Sequence, residues 1–115
     1  CGFVDYINTL DEEDREDLMF AAEIFVQTLP DDIKKLQLAL DEKDYDKCYF
    51  MAHNLRSVVG HFGQEKLASL AEALEQASEK ELVQDVRTLA VEFIASLQLL
   101  AGEVESVLQK AGLHT

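Results

Sequence analysis

The 115-residue chain is short of several things at once. No apolar run approaches the roughly 20 residues that a bilayer-crossing helix needs, which argues against a membrane span. Bases are scarce: 10 lysines and arginines against 23 aspartates and glutamates leave a formal net charge of −13. Such a surface repels phosphate backbones and anionic lipid, so neither nucleic-acid nor membrane-surface binding is expected. The two cysteines, Cys1 and Cys48, make no disulfide framework and have no zinc-ligand spacing. A reduced, cytoplasmic setting is the simpler expectation. Sustained period-two alternation is missing, so no strands are expected. A Gly-rich phosphate loop, a metal triad and a nucleophile–base pair are missing too, which leaves an enzymatic reading with little support. The chain opens at Cys1 rather than at methionine, as expected of a piece of a longer polypeptide. A lipid-modified N-terminal cysteine is the lesser reading, because no signal segment supports it.

What remains is helix-forming almost throughout. The length suits a single domain over residues 1–115, and 48% apolar residues suffice for one modest core. Thr9-Leu10-Asp11-Glu12 fits a capping box, and the acids at 11–14 suit the positive end of a helix dipole. Leu18, Ala21, Ala22, Phe25 and Leu29 then recur every three or four residues. Pro30 lacks an N–H and crowds the preceding turn, so a kink or a new helix start is expected there. The stripe resumes at Ile33, Leu36 and Leu40. "DEKDYD" (41–46) is a polar connection in which Asp44 or Asp46 is placed to cap the next helix. That helix carries Tyr45, Cys48, Ala52, Leu55 and Val59 and ends at "GHFG" (60–63). Leu67, Leu70, Ala71 and Leu74 mark another, and "SEKE" (78–81) is a weak break. A last long segment runs through Val83, Val86, Ala90, Phe93, Ile94, Leu97, Leu100, Val104 and Leu108. Gly102 inside it costs about 1 kcal/mol against alanine, tolerable in a packed helix. Four or five helices with short connections predict an all-α antiparallel bundle.

His53 is the residue whose direction matters most. At 100° per residue, Cys48, Ala52, Leu55 and Val59 fall within about 60° of arc, and His53 lies roughly 120° from the centre of that arc. It therefore points to solvent from a well-anchored helix. Tyr49, Arg56, Ser57 and Gly60 share or border its face. On spacing alone an exposed helical histidine is most often a solvated residue. The arrangement also suits a nucleophile, since an imidazole is largely neutral near neutral pH. Arg56 would disfavour a second positive charge and could then pair with a transferred phosphoryl group. Metal binding fares worse. His53 and His61 are eight apart and Cys48 and His53 five apart, which does not give the three or four ligands of a zinc site. The Cys48 thiol reads as core packing.

The whole stretch "AHNLRSVVGHFGQEKL" (52–67) resembles the signature of histidine phosphotransfer (HPt) domains. In these a reactive histidine is followed by x-L-K-G, small residues, then a glycine and a leucine. Ala52, His53 and Leu55 match, Arg56 stands where lysine is usual, Gly60 and Gly63 fall at small or glycine positions, and Leu67 matches the later apolar position. "FVQTLPDDIKKLQLALDEKDYDKCYFMAHNL" and "LASLAEALEQAS" are similar to the family's flanking helices, so the likeness covers roughly residues 14–110. Ser57 departs from the usual glycine one turn after the histidine, and Val58 and Val59 are bulkier than usual.

The resemblance implies a four-helix up-and-down bundle with a short additional N-terminal helix and a core at about 14–110. It implies that His53 accepts a phosphoryl group from a receiver-domain aspartate through Nε2 and passes it to another. The chain would then be a phosphocarrier that binds no cofactor itself, with Mg²⁺ and most of the catalysis supplied by the receiver. Its partners would be response-regulator receiver domains or a hybrid histidine kinase. Arg56, and Lys66 as a second cation, would relieve repulsion at an acidic receiver pocket. Ser57 and Gly60 would border the phosphoryl group. Tyr49 and Phe50 would either form a docking surface or be partly buried against the next helix. The competing reading is a non-catalytic bundle that docks receiver or kinase domains without transfer. A histidine-kinase dimerisation bundle is less favoured, because an ATP-binding domain would normally follow it.

Overall fold

A computed structural model describes residues 2–112; Cys1 lies outside the described residues. Five helices follow in order: α1 (Phe3–Ile7), α2 (Glu12–Asp41), α3 (Tyr45–His61), α4 (Glu65–Glu79) and α5 (Val83–Lys110), with no strand among the described residues. Three-residue connections at 42–44, 62–64 and 80–82 force consecutive long helices to run antiparallel. Helix α3 packs most extensively on α4; α4 also packs on α5, α5 on α2 and α2 on α3, which closes a four-helix ring, and α1 lies against α5. At 1.5 Å per residue the 30 residues of α2 span about 45 Å, matching the 43 Å long axis. The shorter α3 and α4 pair therefore occupies part of that length.

Each stripe finds its place in one core. Leu18, Ala22, Phe25, Leu29, Ile33 and Leu36 bury the inner face of α2, with Met19 and Ala39 beside them, while Ala21 and Leu40 are only half-buried. The N-terminal end of the core is closed by aromatics. Phe62, just past α3, meets Phe3 edge-on at 5.8 Å and Phe25 at 5.3 Å. Val83 is exposed, so the core stripe of α5 starts at Val86.

Two local expectations need correction, the cap of α2 and a helix start at Pro30. The cap of α2 is Asp11, whose Oδ1 accepts from the Asp14 N–H at 2.8 Å; the Thr9 hydroxyl instead donates back to the Tyr6 carbonyl at 2.7 Å. Of the two outcomes expected at Pro30, a new helix start does not occur: α2 runs on through it, with buried Leu29 and Ile33 on either side holding the turn despite its missing donor. Gly102 lies on the exposed side of the packed helix α5, where an added Cβ would meet nothing within 4 Å. Asp44, rather than Asp46, caps α3 by accepting from the Lys47 N–H at 3.2 Å.

Candidate functional site

Helix α3 presents His53 from the outer side of a face fixed by buried Cys48, Ala52, Leu55 and Val59. Its side chain is 48% exposed, as the spacing requires. Behind it, α4 contributes Glu75, whose side chain is only 7% exposed. Glu75 Oε1 lies 3.5 Å from His53 Nδ1 and 3.2 Å from Arg56 Nε, while Glu72 Oε2 is 3.8 Å from the other end of the Arg56 guanidinium. Oε1 is sealed from solvent, yet neither approach is aligned as a hydrogen bond. It is a buried acceptor beside two donors, and a small rotation of the imidazole would bring Nδ1–H onto it. With Nδ1 turned to Glu75, Nε2 is the ring nitrogen left for a visitor.

Tyr49, one turn earlier, lies parallel to the His53 ring with centroids 6.2 Å apart and planes 4° from coplanar. Tyr49 is half-buried, while Phe50 is 61% exposed. Ser57 and Gly60 are exposed on the His53 side of α3. Ser57 also opens into a hollow of about 460 Å³ between α2 and α3, lined by Ile24, Phe25, Thr28 and His61. A second hollow of about 420 Å³ continues along the same groove past Lys35, Lys47, Phe50 and Asn54.

Lys66 is not brought to this cluster. It sits in the first turn of α4, nine residues before Glu75, which separates the two by about 13 Å along the helix. Arg56 is not a free cation either. Two carboxylates meet its charge, so the expected repulsion between guanidinium and imidazole is largely cancelled. The sequence reading missed Glu75 altogether. Its signal was an acid four residues after Ala71 and three before Ser78, both of which α4 buries. Among the described residues no group of three or more metal-ligating side chains occurs, and no helix is long and apolar enough to cross a membrane.

The geometry is that of a half-exposed imidazole backed by a carboxylate, on the second helix of an antiparallel four-helix bundle. Compared with protein-family models, the chain matches the Hpt domain over residues 20–110. It belongs to the Hpt domain family. Neither the curated proteins nor the solved structures gave a match. Hpt domains are phosphocarrier-type modules of two-component signalling, a class that interacts with receiver domains and kinases. The matched region takes in α3, α4 and α5 and all of α2 from Phe20 on; α1 precedes it.

Proposed function

We propose that His53 carries the phosphoryl group, accepting it from a receiver-domain aspartyl phosphate and surrendering it to a second receiver aspartate. The observation that carries this reading is the placement of His53. Its ring is half in solvent, with Nδ1 directed to a buried carboxylate. In the forward step Nε2 attacks phosphorus, the N–P bond forms, and the P–O bond to the aspartate breaks with its electron pair leaving as carboxylate. The ring gains positive charge while Nδ1 keeps its proton. Glu75, facing that proton, stabilises the charge and fixes the tautomer that leaves Nε2 free. The receiver is expected to supply Mg²⁺. Arg56 lies one turn from the ring, where its guanidinium is placed to exchange Glu72 for phosphoryl oxygens.

Incubation with a phosphorylated receiver and Mg²⁺ should yield an acid-labile, base-stable label on this chain. His53→Gln should abolish the label and His61→Gln should leave it. A label that survives in the His53 variant overturns the assignment. Receiver binding with no label from any donor would point instead to the non-catalytic docking bundle, to which Ser57 in the glycine position lends its support.

A further inference from the structure

The outer face of α5 is unlike the rest of the surface. Phe93, Leu97 and Leu100 mark its buried side. Opposite them, at 100° per residue, run Thr88, Val91, Ala95, Leu99, Gly102 and Ser106, all exposed. None is charged, in a chain whose residues are 29% charged. Val91 is 69% and Leu99 74% exposed, among the most exposed large apolar side chains of the described residues.

Gly102 is a second, separate observation. A glycine inside a helix weakens it, and here the fold gains nothing in return, because a Cβ would stand in open space. What a missing side chain allows at such a position is the close approach of another backbone.

We infer that this face, residues 84–109, is where a second copy of the chain packs, with the two α5 helices antiparallel. The pattern is self-complementary in that direction, as a two-fold interface requires. With the dyad near Leu97, Val91 of one copy meets Gly102 of the other, Leu99 meets Ala95, and Thr88 meets Ser106, so bulk lies beside a small residue along the contact. A parallel pairing would set each residue against itself, bulk on bulk, and would align the two helix dipoles unfavourably. In the antiparallel register Asp85 falls beside Lys110 of the second copy. Glu92 falls beside Glu103 of the second copy, the one like-charge approach, and the Glu103 carboxylate already accepts the Phe3 N–H at 3.2 Å. A single helix pair is a small interface, and each copy carries a net charge of −13. The dimer is therefore weak, and it tightens as salt screens the repulsion.

Sedimentation equilibrium of the 115-residue chain, from micromolar to submillimolar concentration, tests this. A monomer–dimer equilibrium that tightens with sodium chloride is expected. Leu99→Lys should weaken it by about tenfold or more. Gly102→Ala should weaken the dimer while raising the melting temperature in dilute solution, a combination that loss of folding would not give. Phe20→Lys, at an equally exposed apolar residue on α2, should leave the dimer unchanged. A monomer at every concentration and salt overturns the proposal and leaves the face to another occupant. A dimer indifferent to both α5 substitutions overturns it as well.

Discussion

Glu75 is the one charged side chain that is buried among the described residues, and the Arg56 Nε at 3.2 Å supplies most of its compensation. Arg56 thus serves the fold as well as any phosphoryl group. The ion pair predicts that Arg56→Ala, besides slowing transfer, destabilises the fold by about 1–3 kcal/mol, because a desolvated carboxylate loses its partner. Urea unfolding checks this, and adding Glu75→Gln to the variant should recover most of the loss, since a neutral amide needs no cation. If the single variant is as stable as the parent, the pair is not structural. Cys48 gives a second expectation at this scale. Burial pushes its thiol up from the ordinary value, and the Asp44 charge raises it further, so little thiolate exists near neutral pH. In a Cys1→Ser background, alkylation of folded Cys48 should be slower than that of the urea-unfolded chain by about tenfold or more.

At the scale of elements, the three connections share one turn. Asp44 N–H bonds the Ala39 carbonyl and Lys43 N–H that of Leu40; Gln64 and Gly63 repeat the pattern on Val59 and Gly60, and Leu82 and Glu81 repeat it on Ala77 and Ser78. Each turn needs one left-handed residue, and these are Lys43 (φ 56°), Gly63 (φ 74°) and Glu81 (φ 55°). Two of the three are not glycine, so Lys43→Gly and Glu81→Gly should each stabilise by about 0.5–1 kcal/mol. Gly63→Ala should do the reverse and more, since its Cβ would stand 2.3 Å from a carbon of the Tyr6 ring and push α1 off the bundle. Thermal melts of the three variants order the effects, and a stabilised Gly63→Ala would refute this account of the turn. These turns also show what a sequence can disclose. The helix count, the exposure of His53 and the stop at "GHFG" were legible, because periodicity and glycine report on the local chain. Lys43 and Glu81 carried no such signal: hydrogen bonds formed by the closing helices impose their left-handed backbone. Pro30 starts no new helix because packing of α2 against α5 outweighs one missing donor. The place of Glu75 on the buried side of α4 was readable from its spacing to Ala71 and Ser78, but its partners come from α3, and no pattern on α4 announces them.

At the scale of the whole molecule, the question is which charges a partner feels first. The longest dimension is 43 Å, and at about 0.01 M salt the screening length of roughly 30 Å lets nearly all the charges act together. An approaching receiver, itself acidic around its aspartate, then meets a net charge of −13. Lys35 and Lys47, which line the α2–α3 groove beside Asn54, are only two charges against that total. At about 0.15 M the screening length falls to roughly 8 Å, and a docked partner then senses mainly the charges of the groove itself, Lys35 and Lys47 against Asp32. Long-range repulsion should therefore dominate in dilute salt and local attraction at physiological salt. The second-order rate of label transfer to His53 should rise between those conditions, by about threefold to tenfold, with the rise residing in association. Rapid-quench measurements at subsaturating receiver separate association from the chemical step. Lys35→Glu with Lys47→Glu should lower the rate at both salt concentrations, and proportionally more at the lower one, where the added negative charge is screened least. A transfer rate that instead falls steadily with salt in the parent chain would mean that the two lysines outweigh the acidic surface even at long range, contrary to the count of charges.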